Sequence, residues 1–241
     1  MVDETAIGGA ARDFPATRWT MILASKSDAA ARRAALSDLL AAYWKPLYFF
    51  VRRKGQSIEA AKDVIQGFCL HLLERDFLAR LDPGRGRFRA YLRTAIDHYL
   101  VNLHESETAQ KRGGNAKAMT LDFDVAERDF ARCPESADAA YDREWAVGVM
   151  ERSLARLRQE FAAGARKGSF DAALQYFQPG EPPSYADAAA RCGMTAARFK
   201  AFLHRTRARF RAILREEVAQ TVADGAEADA EIEHLIRVLG S

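Results

Sequence analysis

Ser184-Tyr-Ala-Asp-Ala-Ala-Ala-Arg-Cys-Gly-Met-Thr195 runs directly into Ala196-Ala-Arg-Phe-Lys-Ala-Phe-Leu-His-Arg-Thr-Arg-Ala-Arg-Phe-Arg211. The first half reads as a short helix that stops at a glycine turn, Gly193. The second reads as a longer, strongly basic helix entered through Thr195, whose hydroxyl suits a helix N-cap. Two helices joined in this way form a helix-turn-helix, a motif whose second helix enters the DNA major groove. Phe199, Leu203, Phe210, Ile213 and Leu214 recur at helical spacing and read as its core face. Arg198, Lys200, Ala201, His204 and Arg205 fall on the other faces. Arginine and histidine there can reach base edges, whereas Arg207, Arg209 and Arg211 suit phosphates. The same residues also suit a solvated basic helix of an ordinary bundle.

The charge pattern strengthens the DNA reading. The net charge of the 241 residues is only +3. Yet residues 188–215 hold eight Lys or Arg and no acid, whereas residues 216–233 hold seven acids and no Lys or Arg. A basic block followed by an acidic tail carries more information than the sum of the two.

Outward from this stretch, the composition is that of a helical globular protein. Apolar residues make up 49% of the chain, and there are only 7 Pro and 15 Gly, so cores can form and helices are seldom interrupted. Residues 28–54 read as a helix through Leu36, Leu39, Leu40, Tyr43, Leu47 and Phe50, with Pro46 expected to kink or split it. Gly55 suits its C-cap and Ser57 the N-cap of the next helix, which carries Ala60, Ala61, Val64, Ile65, Phe68, Leu72 and Leu73 inward. The segment 82–87, Asp-Pro-Gly-Arg-Gly-Arg, reads as a loop, and a helix follows from Phe88 to about Ala109. Residues 113–140 are polar and weakly periodic and read as an interdomain linker. Helix resumes from Tyr141 to Phe161 and from Phe170 to Phe177. Phe14–Ala24, with Trp19, reads as a short docking helix.

Enzymatic signals are poor. The histidines at 71, 98, 104, 204 and 234 form no ligand pattern, and no phosphate-binding glycine loop or nucleophile elbow occurs. The three cysteines, Cys69, Cys133 and Cys192, are too widely spaced for a zinc site or a disulfide framework. No metal, no cofactor and no catalytic residue is expected. Free thiols, the absence of an apolar run of membrane length and an N-terminus with two early acids point to a cytoplasmic chain without membrane contact. Arg85, Arg87, Arg89 and Arg93 cluster around Phe88 and Tyr91. Basic residues interleaved with aromatics suit single-stranded nucleic acid, although Phe88 and Tyr91 equally suit a core.

In order and spacing, Asp63-Val-Ile-Gln66-Gly-Phe68, then Phe88-Arg89-Ala90-Tyr91-Leu92, then Lys200-Ala-Phe-Leu-His204-Arg205-Thr-Arg207 resembles a bacterial extracytoplasmic-function sigma factor, over residues 28–217. Thr17-Arg18-Trp19 and Tyr43-Trp44-Lys45-Pro46-Leu47-Tyr48 are similar to one subgroup of that family. The resemblance implies an all-α fold of two small helical domains joined by a linker. Residues 1–27 would be an N-terminal extension. A domain over 28–112 would bind the core RNA polymerase clamp, through Asp63 and Gln66, and open the −10 promoter element. The linker would occupy 113–140. A domain over 141–217 would contain the helix-turn-helix and read the −35 element, and 218–241 would form an acidic helical tail. Arg85, Arg87, Arg89, Arg93, His98 and Asn102 would follow the −10 strand. Arg198, Lys200, Ala201, His204, Arg205 and Arg207 would face the −35 duplex. The partners implied are core RNA polymerase and promoter DNA, with an anti-sigma factor or a kinase as a further partner.

Some features depart from the family pattern. Ala60, Lys62 and Gly67 stand where acids are common, which weakens attraction to a basic clamp. Phe202 stands where arginine is common. The acidic tail is an addition; it is expected either to fold back on a basic surface or to pack on the second domain. Two other readings compete: a stand-alone regulator that binds duplex DNA without polymerase, and a helical adaptor or an enzyme using His71 or His98.

Overall fold

The computed structural model describes residues 29–74, 87–107, 121–133, 136–162, 167–177 and 180–240. They are all-helical, with no strand among them: α1 (Ala29–Arg53), α2 (Ile58–Glu74), α3 (Phe88–Glu107), α4 (Phe123–Phe130), α5 (Ala137–Phe161), α6 (Lys167–Leu174), a 3-10 turn (Gln175–Phe177), α7 (Tyr185–Arg191), α8 (Ala196–Ala219) and α9 (Gly225–Leu239). The expected docking helix near Trp19, residues 82–86 and residues 113–120 lie outside the described residues. The chain forms two units. One comprises residues 1–146 together with 219–241, and the other residues 147–218.

In the first unit α1 is the central element. Leu36, Leu40, Tyr43, Leu47 and Phe50 recur at helical spacing and are buried. Of the two outcomes expected at Pro46, a kink or a split, the split does not occur: α1 runs through Pro46 as a single helix. Pro46 is itself buried, and buried residues continue on both sides of it. Packing therefore offsets the hydrogen bond that proline cannot donate. Gly55 ends this helix at φ +92, and Ser57 Oγ accepts from the Ala60 amide at 3.2 Å, as its N-cap role requires.

Residues 113–140 contain structure that the linker expectation lacks. α4 is capped by Asp122, whose carboxylate accepts from the Val125 amide, and it packs on α1. Phe123 meets Trp44 and Tyr48 edge-on or tilted at 5.3 and 5.1 Å, and Phe130 meets Phe49 at 5.5 Å. Glu127 accepts from Tyr48 Oη at 2.6 Å and from Arg52 Nε at 2.7 Å. Lys45 bridges Asp129 at 2.8 Å and Glu144 at 2.7 Å, which joins α1 to α4 and to the start of α5. With only eight residues, α4 has one apolar side, too brief to read as periodic.

The acidic tail also belongs to this unit rather than to the second. Asp224 caps α9 through the Glu227 amide. Ala228, Glu231 and Leu235, one helical face, are buried. The Phe88 amide donates to the Thr221 carbonyl at 3.0 Å, so the chain before α9 meets the first residue of α3.

The second unit is built on Leu157, Phe170, Ala173, Ala189, Phe199, Phe202, Leu203 and Ile213. Phe161 stacks on Phe170 at 4.7 Å and meets Phe202 edge-on at 5.9 Å. Phe202 is thus a core residue.

The Glu127 contact gives a pH-dependent test. The Arg52 hydrogen bond lowers the Glu127 pKa, burial opposes this, and the Tyr48 hydrogen bond adds to the lowering. A carboxyl depressed in the folded state contributes stability that is present above its ordinary value, 4.5, and is lost as pH falls through the folded value. Glu127→Ala removes the side-chain acceptor of Tyr48 Oη and of Arg52 Nε, Arg52 keeping the Gln56 carbonyl, and is expected to cost about 1–3 kcal/mol near neutral pH. Urea unfolding across pH 3–7 is expected to show wild type and variant converging at the acid end.

Candidate nucleic-acid interface

In the second unit the turn between α7 and α8 sets the geometry. Ser184 Oγ accepts from the Asp187 amide at 3.2 Å and starts α7. Cys192 ends it, and Gly193 adopts φ +62, the left-handed conformation that glycine takes at little cost. The Met194 amide returns to the Ala189 carbonyl at 2.9 Å, and Thr195 Oγ1 accepts from the Arg198 amide at 3.3 Å to start α8. The helix entry is therefore fixed from both sides of the turn.

From there α8 divides into two arcs. Phe199, Phe202, Leu203, Thr206 and Ile213 point into the core. Arg198, Lys200, Ala201, His204, Arg205 and Arg207 are all exposed and lie on the opposite arc. All six residues expected at the −35 type of site thus share one solvent-facing surface. Lys200 Nζ lies over the Tyr185 ring at 4.9 Å, and Arg207 Nη2 donates to the Tyr176 carbonyl at 3.3 Å. Arg209 differs from them. Glu160 accepts from it at 2.6 and 2.8 Å and Glu216 at 3.1 Å, and these contacts, the Glu160 hydrogen bonds first, raise its pKa. It braces α5 against α8 within this unit and is not a free phosphate ligand.

The first unit carries the other candidate residues. Phe88 is fully buried and meets Tyr43 edge-on at 5.2 Å, so it is a core residue and not a base platform. His98 and Asn102 are exposed on α3. Arg85 lies outside the described residues. Each of the remaining arginines faces a carboxylate. Arg87 Nη1 donates to Glu231 Oε1 at 2.7 Å. Arg89 donates to both Glu231 oxygens at 3.0 Å and also pairs with Asp142. Arg93 pairs with Asp138 at 3.2 Å. Arg89 is only 9% exposed and lies 4.8 Å over the Trp145 ring, while Trp145 Nε1 donates to Tyr43 Oη at 3.1 Å. Burial alone would lower the Arg89 pKa, but the hydrogen bonds and charge of Glu231, with the charge of Asp142, hold it above its ordinary value. His234 Nε2 lies 3.1 Å from Asp142 Oδ2 and completes the cluster.

These acids are what residue-by-residue reading of α3 missed. The acidic character of residues 216–233 was visible, but nothing local pairs Glu231 with arginines more than 140 positions earlier (separations of 144 and 142).

On α2, Asp63 is exposed and Gln66 half-buried. Lys62 pairs with Glu59 at 3.1 Å. Gly67 has a packing cause: a Cβ there would lie 2.6 Å from Tyr99 Oη. An acid at 67 requires Tyr99 to move, so Lys62→Glu is the cleaner probe of this face. Cys69 is buried and its pKa is pushed up to about 12, an inert thiol. No group of three metal-ligating side chains occurs among the described residues. His71 packs 5.5 Å from the Tyr99 ring. No helix among the described residues is long and apolar enough to cross a membrane. No family model, curated protein or solved structure matches the chain.

Gly193 and Arg205 separate backbone from surface effects. A Cβ at Gly193 meets nothing within 4 Å, so Gly193→Ala acts through backbone strain alone and is expected to cost about 1–2 kcal/mol. Arg205→Ala, on an exposed surface, is expected to change stability by less than about 0.5 kcal/mol. Thermal unfolding of the two variants beside wild type checks both values.

Proposed function

We propose that the chain is a sigma-type initiation factor that lends promoter recognition and strand opening to RNA polymerase. The exposed basic arc of α8, set above an apolar core by the Gly193 turn, carries this reading. α7 and α8 form the helix-turn-helix, with Arg198, Lys200, Ala201, His204, Arg205 and Arg207 facing duplex DNA of the −35 type. The depth of the major groove suits a single helix presenting arginine to guanine edges. In the first unit Asp63 and Gln66 face the polymerase clamp. Arg93, His98 and Asn102 on α3, with Arg85 in the preceding loop, follow the opened −10 strand. The chain acts in the cytoplasm, is not an enzyme by itself, and takes no metal or cofactor. An anti-sigma factor or a kinase fits as a further partner.

Run-off transcription with purified core polymerase and genomic promoter fragments tests the reading. Discrete new start sites are expected with the protein and not without it. Arg205→Ala is expected to reduce those transcripts about tenfold or more, the loss of one base-reading arginine. Binding to duplex DNA by the free chain with no new transcripts would instead identify a stand-alone regulator. Transcripts equally strong with Arg205→Ala would remove α8 from promoter reading.

A further inference from the structure

The arginines at the start of α3 are occupied from within the chain. Arg87 and Arg89 converge on the single carboxylate of Glu231, which is fully buried on the inner face of α9. Glu231 takes the donors of two guanidinium groups on its two oxygens, at 2.7, 3.0 and 3.0 Å. This forked arrangement is the one by which arginine recognises phosphate. With Asp142 included, two arginines face two carboxylates and their charges cancel. Without Glu231 the same place carries a net positive charge. Arg87 also keeps access to solvent, its side chain being 34% exposed.

We infer that Glu231 stands in for a phosphate of single-stranded nucleic acid, so that α9 and the strand compete for Arg87 and Arg89. The inference rests on the nucleic-acid reading above and adds to it a regulated site: the acidic tail is an internal plug of the strand-binding face. It accounts for the placement of the tail's fully buried acid, Glu231, opposite α3. On the same side α9 also supplies Ala228 and Leu235 as apolar anchors and His234, which lies 3.1 Å from Asp142 Oδ2. Competition of this kind is electrostatic, and its signature is salt dependence.

The experiment uses the full chain and a fluorescein-labelled, mixed-sequence single-stranded DNA of about 16 nucleotides, the upper end of ordinary single-strand site sizes. Glu231→Gln keeps the shape of the side chain and removes its charge. It is expected to bind the strand about tenfold more tightly at low salt. The log–log salt slope is expected to steepen by about 0.7 for each phosphate contact released, hence by up to about 1.4. Arg87→Gln placed on top of Glu231→Gln is expected to remove part of both gains. In wild type, saturating strand is expected to speed amide hydrogen exchange across 225–239. Unchanged affinity and slope in a folded Glu231→Gln protein would overturn the inference. So would unchanged protection of α9 in wild type at saturation, an arm that decides the matter even if the variant fails to fold. Duplex binding lost on Arg205→Ala is read separately. If that persists while the single-strand arms fail, only the plug is wrong; if neither nucleic acid binds, the functional reading falls as well.

Discussion

The first unit is organised around one buried charge. The Arg89 guanidinium lies on Trp145, and its backbone carbonyl accepts from Tyr141 Oη at 2.9 Å. A charge so enclosed must be paired. The two carboxylates that pair it come from different elements, Asp142 from α5 and Glu231 from α9. Such a network adds little net stability over an apolar equivalent, because desolvation of the charges offsets their attraction. Removing one member, however, strands the others and costs about 3–5 kcal/mol. The contribution therefore lies in register. Sliding α9 by one residue would bring Ala230 or Ile232 opposite Arg89 and leave the guanidinium with Asp142 alone.

The long helices were legible because each repeats its pattern over several turns. Leu36, Leu40, Tyr43, Leu47 and Phe50 announce α1, and Phe199, Leu203 and Ile213 announce α8; all are buried. The caps were legible for a different reason. Ser57, Gly55, Gly193 and Thr195 act within a few residues of themselves, so local chemistry determines them. On α8 the six candidate residues were found together because the core face, once known, leaves only one other arc.

What escaped reading was non-local or brief. α4 is a single amphipathic segment between polar neighbours, and its helical state depends on Trp44, Tyr48 and Phe49 of α1. The tail read as acidic and helical, but its address depended on one buried pairing with α3. Phe202 packs among Phe161 and Thr206, neighbours that no local pattern announces. Thr206 Oγ1 donates to the Phe202 carbonyl at 3.0 Å and lies on the same buried arc. For the same reason α3's arginines look interchangeable in sequence, although Arg89 is enclosed and Arg93 is on the surface.

The first unit closes with residues 219–241, after the whole of the second has intervened in the chain. This has a consequence for biosynthesis. At about 5–20 residues per second a ribosome takes about 7–28 s to travel the 142 positions from Arg89 to Glu231. Within that interval the second unit, 147–218, is made in full, while Arg89 has Asp142 but lacks its other carboxylate. The nascent chain thus acquires α8 before its first unit has all its parts, and the acid that completes the pairing of Arg89 is made only after the second unit.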